Sequence, residues 1–143
     1  MIQRIQTIYL FLAFISSGVM VFFFDLWNTN VDGVRAMDLL SDSDISLKFV
    51  PILFLISALL PLFTILKFSN RNLQMNLGKL TILINLILLG LFAYLILTLS
   101  GEAAVSKKDI GMFLPLISIG FILLANSAIK KDEDLVKSVD RLR

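Results

Sequence analysis

The chain of 143 residues has no cysteine and no histidine. Without cysteine there is no disulfide framework and no thiol nucleophile. Without histidine the commonest general base and the commonest metal ligand are gone, so neither a cofactor nor a metal site is expected. Charge is missing where it would matter most. Four long apolar runs, Ile5–Phe24, Phe49–Leu66, Leu80–Leu99 and Ile110–Ile129, contain no Asp, Glu, Lys or Arg. Proton relays, voltage sensors and ion-coupled transporters usually carry such a group inside the membrane despite its cost of a few kcal/mol. A proton-coupled or voltage-gated mechanism within one protomer is therefore disfavoured. The carboxylates Asp25, Glu102 and Asp109 fall outside the runs, where water screens them and no motif organises them. The chain is not expected to be an enzyme. Nor does it carry the dense basic stripe that a nucleic-acid surface needs.

What is present is apolar length. Hydrophobic residues make up 57% of the chain, and its mean hydropathy is +0.88. A helix rises about 1.5 Å per residue, so about 20 apolar residues cover a ~30 Å hydrocarbon layer. The shortest run, Phe49–Leu66, is flanked by Lys48 and Lys67, whose ammonium groups snorkel outward. The expected fold is an all-α integral membrane protein. Residues 1–143 form a single four-helix transmembrane bundle, with residues 130–143 an amphipathic tail. Met1-Ile2-Gln3-Arg4 resembles the start of a signal peptide, but the apolar run that follows is about twice a typical h-region and lacks an A-x-A site. The first span is expected to stay as a signal-anchor helix.

The basic residues orient the bundle. Arg4, Lys67, Arg71, Lys79, Lys130, Lys131, Lys137, Arg141 and Arg143 fall on one side; Arg35, Lys48, Lys107 and Lys108 fall on the other. Short loops rich in Lys and Arg remain cytoplasmic. Both termini and the loop Lys67–Lys79 are expected to face the cytoplasm. The external loop Asp25–Lys48 contains Asp32-Gly33, a pair that favours a two-residue hairpin turn. Either a small hairpin with arms near Leu26–Val31 and Val34–Leu39 forms, or the segment is a plain loop. Ser41-Asp42-Ser43-Asp44 reads as turn or N-cap material. The second external loop, Ser100–Asp109, only permits antiparallel packing of spans three and four.

Neutral polar residues recur near the cytoplasmic ends of the spans. Gln6, Thr64, Asn85 and Asn126 are expected to point inward and form a hydrogen-bonded layer, either as structural glue or as the lining of a polar cavity. Bonds of this kind contribute about 0.6 kcal/mol each, so the layer would fix register more than stability. Trp27 reads as an interfacial belt residue. Tyr9 and the phenylalanines of the first span read as packing or lipid-facing. Pro51 is tolerated in a first helical turn, while Pro61 and Pro115 read as simple kinks. Ala13-x-x-x-Ser17 allows close helix approach, inside the bundle or between copies, so a homo-oligomer is open.

The fourth helix meets no strong breaker after Pro115 and is expected to run past Lys130 into the cytoplasm. Leu135, Val139 and Leu142 form an apolar stripe at i, i+4, i+7. Glu133 and Lys137 stand at i, i+4. The stripe either packs on the membrane surface or the loop Phe68–Gly78, or docks on a partner protein.

Three blocks carry a resemblance: the opening Met1-Ile2-Gln3-Arg4-Ile5-Gln6-Thr7-Ile8-Tyr9-Leu10; Arg71-Asn72-Leu73-Gln74; and Ala125-Asn126-Ser127-Ala128-Ile129-Lys130-Lys131-Asp132-Glu133 with the closing Asp140-Arg141-Leu142-Arg143. Across its whole length the chain resembles an uncharacterised four-span inner-membrane family of the Bacteroidota, the domain of unknown function 4293 family. The resemblance implies a bacterial inner-membrane setting and no mechanism. The sequence therefore leads to a non-catalytic accessory or scaffold subunit that contacts membrane lipids. It would engage a membrane or cytoplasmic protein through Arg71, Gln74, Leu135, Val139 and Leu142. The alternative is an oligomeric transporter or channel for a small or lipid-like solute.

Overall fold

Apolar length does become helix. The computed structural model describes residues 3–28, 33–41, 44–67, 69–98 and 107–141. Among these, four helices dominate: α1 (Gln3–Phe14), α2 (Ile45–Leu66), α3 (Arg71–Thr98) and α4 (Leu114–Arg141). The first crossing continues beyond α1 through a π-helical turn, Ile15–Val19, and a 3₁₀ turn, Met20–Phe22. All four helical segments are long and apolar enough to cross a membrane. Their outer faces carry large apolar side chains such as Phe23 and Leu97, 75% and 79% exposed. A water-soluble monomer rarely exposes such extensive apolar surface. This is a multi-pass membrane protein.

Helix boundaries differ from the apolar runs for local reasons. α3 begins at Arg71, well before Leu80, because the polar residues there end the hydrophobic run without breaking the helix. Asn70 caps it, its Oδ1 accepting the Leu73 amide at 3.2 Å. α2 begins at Ile45, so Pro51 lies in the second turn and leaves the Leu47 carbonyl without its helical donor. Pro115 is a correction: it is the second residue of α4 and sits in its first turn, where proline starts a helix instead of kinking one.

Neighbouring helices pack as a closed ring, α1 on α2, α2 on α3, α3 on α4 and α4 back on α1. The buried seam of α3 is Gln74, Gly78, Thr81, Asn85, Leu88, Phe92 and Leu95, alternating steps of four and three as in knobs-into-holes bundles. Its first half is polar or small and its second half apolar, so the interior is asymmetric along the bundle axis. At the end away from the termini, Phe54, Leu88, Phe92, Leu95 and Leu114 belong to one apolar core, with the rings of Phe54 and Phe92 6.0 Å apart.

That end is closed by a three-stranded sheet: β1 (Trp27–Asn28), β2 (Gly33–Val34) and β3 (Lys107–Lys108), in the order β2-β1-β3. Trp27 pairs with Val34 and with Lys108, both antiparallel. The second hairpin arm is shorter than the expected Val34–Leu39, and residues 29–32, which include the latter half of the first arm, lie outside those described. Gly33 is not a turn residue but a strand partner of Asn28, without positive φ. Its missing side chain makes room for the Asp25 carboxylate, and a Cβ there would also meet Asn28 Oδ1 at 2.9 Å. The second loop does more than connect spans, since it supplies β3. Asp109 Oδ2 accepts from Asn28 Nδ2 at 2.9 Å, and Asp109 Oδ1 caps the Ile110 amide at 2.7 Å. Asp25 pairs with Arg35 at 3.0 Å. Two carboxylates expected to be unorganised are thus engaged, Asp25 within the first loop and Asp109 across to it; Glu102 lies outside the described residues. Trp27 is also corrected. It is 3% exposed, in the core beneath the sheet and not in an interfacial belt.

Candidate functional site

At the end bearing both termini, α1, α3 and α4 contribute polar side chains to one point, and α2 contributes Ile65. Gln6 Nε2 of α1 donates to the Asp132 carboxylate and, at 3.3 Å, to the Ala128 carbonyl of α4. Asp132 belongs to the mixed charge run Lys130–Asp134, yet it is 8% exposed. The signal that finds it is the helix seam: Ile122, Ala125, Ile129 and Asp132 continue one buried stripe in steps of three and four.

Gln6, Thr7 and Leu10 of α1 and Ile65 of α2 form one side of a small cavity there. Arg71 and Gln74 of α3 and Asp132 of α4 form the other. Its volume is about 20 Å³, enough for one water and far below the roughly 300 Å³ where small-molecule sites begin. One carboxylate, one guanidinium and two amides face it. The ion pairs among the described residues are Arg35–Asp25 and Lys137–Glu133, so Arg71 and Asp132 share this cavity without direct contact. Each of the three blocks behind the family resemblance contributes to it: Gln6, Arg71 with Gln74, and Asp132.

The residues expected to face a partner therefore divide. Gln74 is corrected: it is 5% exposed, and its Nε2 donates to the Thr64 carbonyl at 3.0 Å, joining α3 to the end of α2. Arg71 is half-buried on the cavity wall. Leu135 and Val139 are 53% and 64% exposed, so the stripe does not pack on the chain's own loop. Val136 joins them on the surface, and Glu133 pairs with Lys137 at 2.7 Å along the same helix. Leu142 lies outside the described residues.

The expected polar layer is instead a column of separate contacts. Gln6, Thr64 and Asn85 are buried, and Asn126 is half-buried. Thr64 Oγ1 turns back on the Leu60 carbonyl at 2.8 Å. Asn126 lies over Gly78, whose added Cβ would come within 2.7 Å of Asn126 Nδ2. Deeper still, Asn85 Nδ2 donates to Ser57 Oγ at 2.7 Å and to the Thr81 carbonyl at 2.9 Å. Because α3 starts early, Asn85 falls midway along it and not near its end. Ser57, the acceptor that sequence reading missed, is spaced on α2 with Phe54, Pro61 and Thr64 along one buried seam. Asn85 Oδ1, Asn126 Oδ1 and Ser118 Oγ have no partner among the described residues.

Ala13 and Ser17 are spent inside the bundle, 0% and 1% exposed. The hydroxyls of Ser16 and Ser17 both donate to the Ala13 carbonyl at 2.9 Å across the π turn. Next to them Gly18 meets Ala58 of α2, and a Cβ on it would lie 2.9 Å from Ala58 Cβ.

No curated protein and no solved structure matches this chain. The family model described as a domain of unknown function, DUF4293, matches residues 2–142. A match over nearly the whole chain, on a four-span architecture, makes the protein a member of the DUF4293 family.

Proposed function

We propose that this protein is a non-catalytic accessory or scaffold subunit of a membrane assembly. It sits in a bacterial inner membrane, both termini cytoplasmic, and engages a protein partner through the projecting end of α4. The observation that carries this reading is the outer part of α4. Beyond Asp132 the helix continues unbroken to Arg141 and exposes Leu135, Val136 and Val139. An apolar stripe held on a pre-formed helix loses little entropy on docking, which favours a helix-in-groove contact. The Gln6–Asp132 bond supports it by fixing the base of that helix to α1.

The interior agrees with a holding role. The polar cavity admits a water and not a substrate, and the far half of the bundle is filled by Phe54, Leu88, Phe92 and Leu95. The excess of Lys and Arg on the termini side supports the orientation, and the family resemblance supports the bacterial setting. The alternative, an oligomeric transporter or channel, relied on Ala13 and Ser17 as a contact between copies. Both side chains are already buried within one copy.

Site-specific photo-crosslinking in native membranes tests the proposal. A crosslinker at Val139 should give a discrete adduct with another protein, one that Leu135→Asp abolishes. A crosslinker at lipid-facing Leu83 should not give it. A monodisperse protein with no adduct from Val139 or Val136 overturns the reading.

A further inference from the structure

We propose that the groove between α1 and α4, at the end bearing both termini, binds one anionic glycerophospholipid. The groove has a volume of about 240 Å³ and is lined by Ile5 and Tyr9 of α1 and by Leu124, Ser127, Ala128 and Lys131 of α4. It is larger than the ~150 Å³ apolar cavities that take up benzene, so a stretch of acyl chain fits. Along α4 its lining steps from Leu124 through Ser127 and Ala128 to Lys131, one turn at a time. It thus runs about 10 Å parallel to the bundle axis, the direction in which acyl chains lie. The small side chains of Ser127 and Ala128 form its floor, and this is why the groove exists.

Polarity along the α4 wall of the groove matches a phospholipid from tail to head group. Leu124, 49% exposed, is the apolar end on α4; on antiparallel α1, Ile5 lies at the Lys131 end beside the Gln6–Asp132 contact, with Tyr9 one turn deeper. The hydroxyls of Tyr9 and Ser127 supply donors at the depth of ester carbonyls. Lys131 stands at the end of the apolar run, where a phosphate would lie. Its ammonium is available: the ion pairs among the described residues are Arg35–Asp25 and Lys137–Glu133. Its acidic neighbours are turned elsewhere, Asp132 inward to Gln6 and Glu133 to Lys137. Asp134, one turn on, sits with Lys137, Ser138 and Arg141. Basic pockets between transmembrane helices recruit acidic head groups. A zwitterionic lipid brings its own ammonium and gains less from Lys131. This site does not depend on the proposed partner contact, since it lies on α1 and α4 within the bundle.

Native mass spectrometry of the full chain, extracted in mild detergent with equal phosphatidylglycerol and phosphatidylcholine, tests the site. Retention of phosphatidylglycerol over phosphatidylcholine by about fivefold is expected from one basic residue near the head group. Lys131→Gln should bring the two near parity, whereas Lys137→Gln, farther out on the same helix, should change nothing. Ala128→Phe fills the groove and leaves Lys131 in place, so it should remove the bound lipid; Ser127→Leu, at an exposed position, does the same with less risk to folding. Equal retention of the two lipids by the parent protein overturns the proposal. So does an equal effect of Lys131→Gln and Lys137→Gln, which would mean diffuse attraction, or unchanged retention in a folded groove-filling variant.

Discussion

The Gly111 amide donates to the Asp25 carbonyl at 3.0 Å, and a Cβ on Gly111 would lie 2.5 Å from that same oxygen. The start of the fourth crossing thus rests directly on the backbone that ends the first. The far end of the bundle is closed by backbone contact between two loops as well as by the Asn28–Asp109 side-chain bond.

Glycine substitutions should follow that geometry. Gly111→Ala meets backbone and should cost about 1–3 kcal/mol, as overpacked sites do. Gly78→Ala displaces only the Asn126 amide, so it should cost less, and Asn126→Ala should relieve it. Gly90 and Gly120 have nothing within 4 Å of a Cβ, and alanine at either should stabilise by up to about 1 kcal/mol. Thermal unfolding in one detergent ranks the four; a stabilising Gly111→Ala would contradict the loop packing.

Asn85→Leu removes the bond to Ser57 but also removes an unpartnered oxygen. The loss should be near 0.6 kcal/mol, a small drop in melting temperature at normal abundance. Ser57→Ala should add little on top, because the two residues share one interaction.

Asp132→Ala leaves Gln6 without its carboxylate and frees the base of the projecting helix. Hydrogen exchange over residues 133–141 should accelerate, while the core of α3 keeps its protection. Unchanged exchange would show that the clasp does not hold that segment.

Asp109→Ala removes both the cap on Ile110 and the bond to Asn28. A lost N-cap costs about 1 kcal/mol, so the melting temperature should fall by several degrees, and the Trp27 fluorescence should shift as its cover loosens.

The proposed orientation is open to labelling because the chain has no cysteine. In intact bacterial cells an impermeant maleimide should reach Met37→Cys, whose native side chain is 39% exposed. It should reach Ser138→Cys only after the membrane is opened. The reverse pattern would invert the topology.

The sequence by itself determined the four crossings. A bilayer reads each helix separately, and uncharged apolar length is a property of a single segment. It also marked α4 as continuing past Lys130 and paired Glu133 with Lys137, since both depend only on local spacing. What the tertiary structure alone decided was the fate of polar groups. Asp132, Gln74 and Trp27 turn inward, and Asn85 finds Ser57, because partners are chosen by the rotation and relative height of separate helices. Ser127 and Ala128 leave a groove only because α1 lies beside them. No stretch of sequence records those relations; packing fixes them when the seams close.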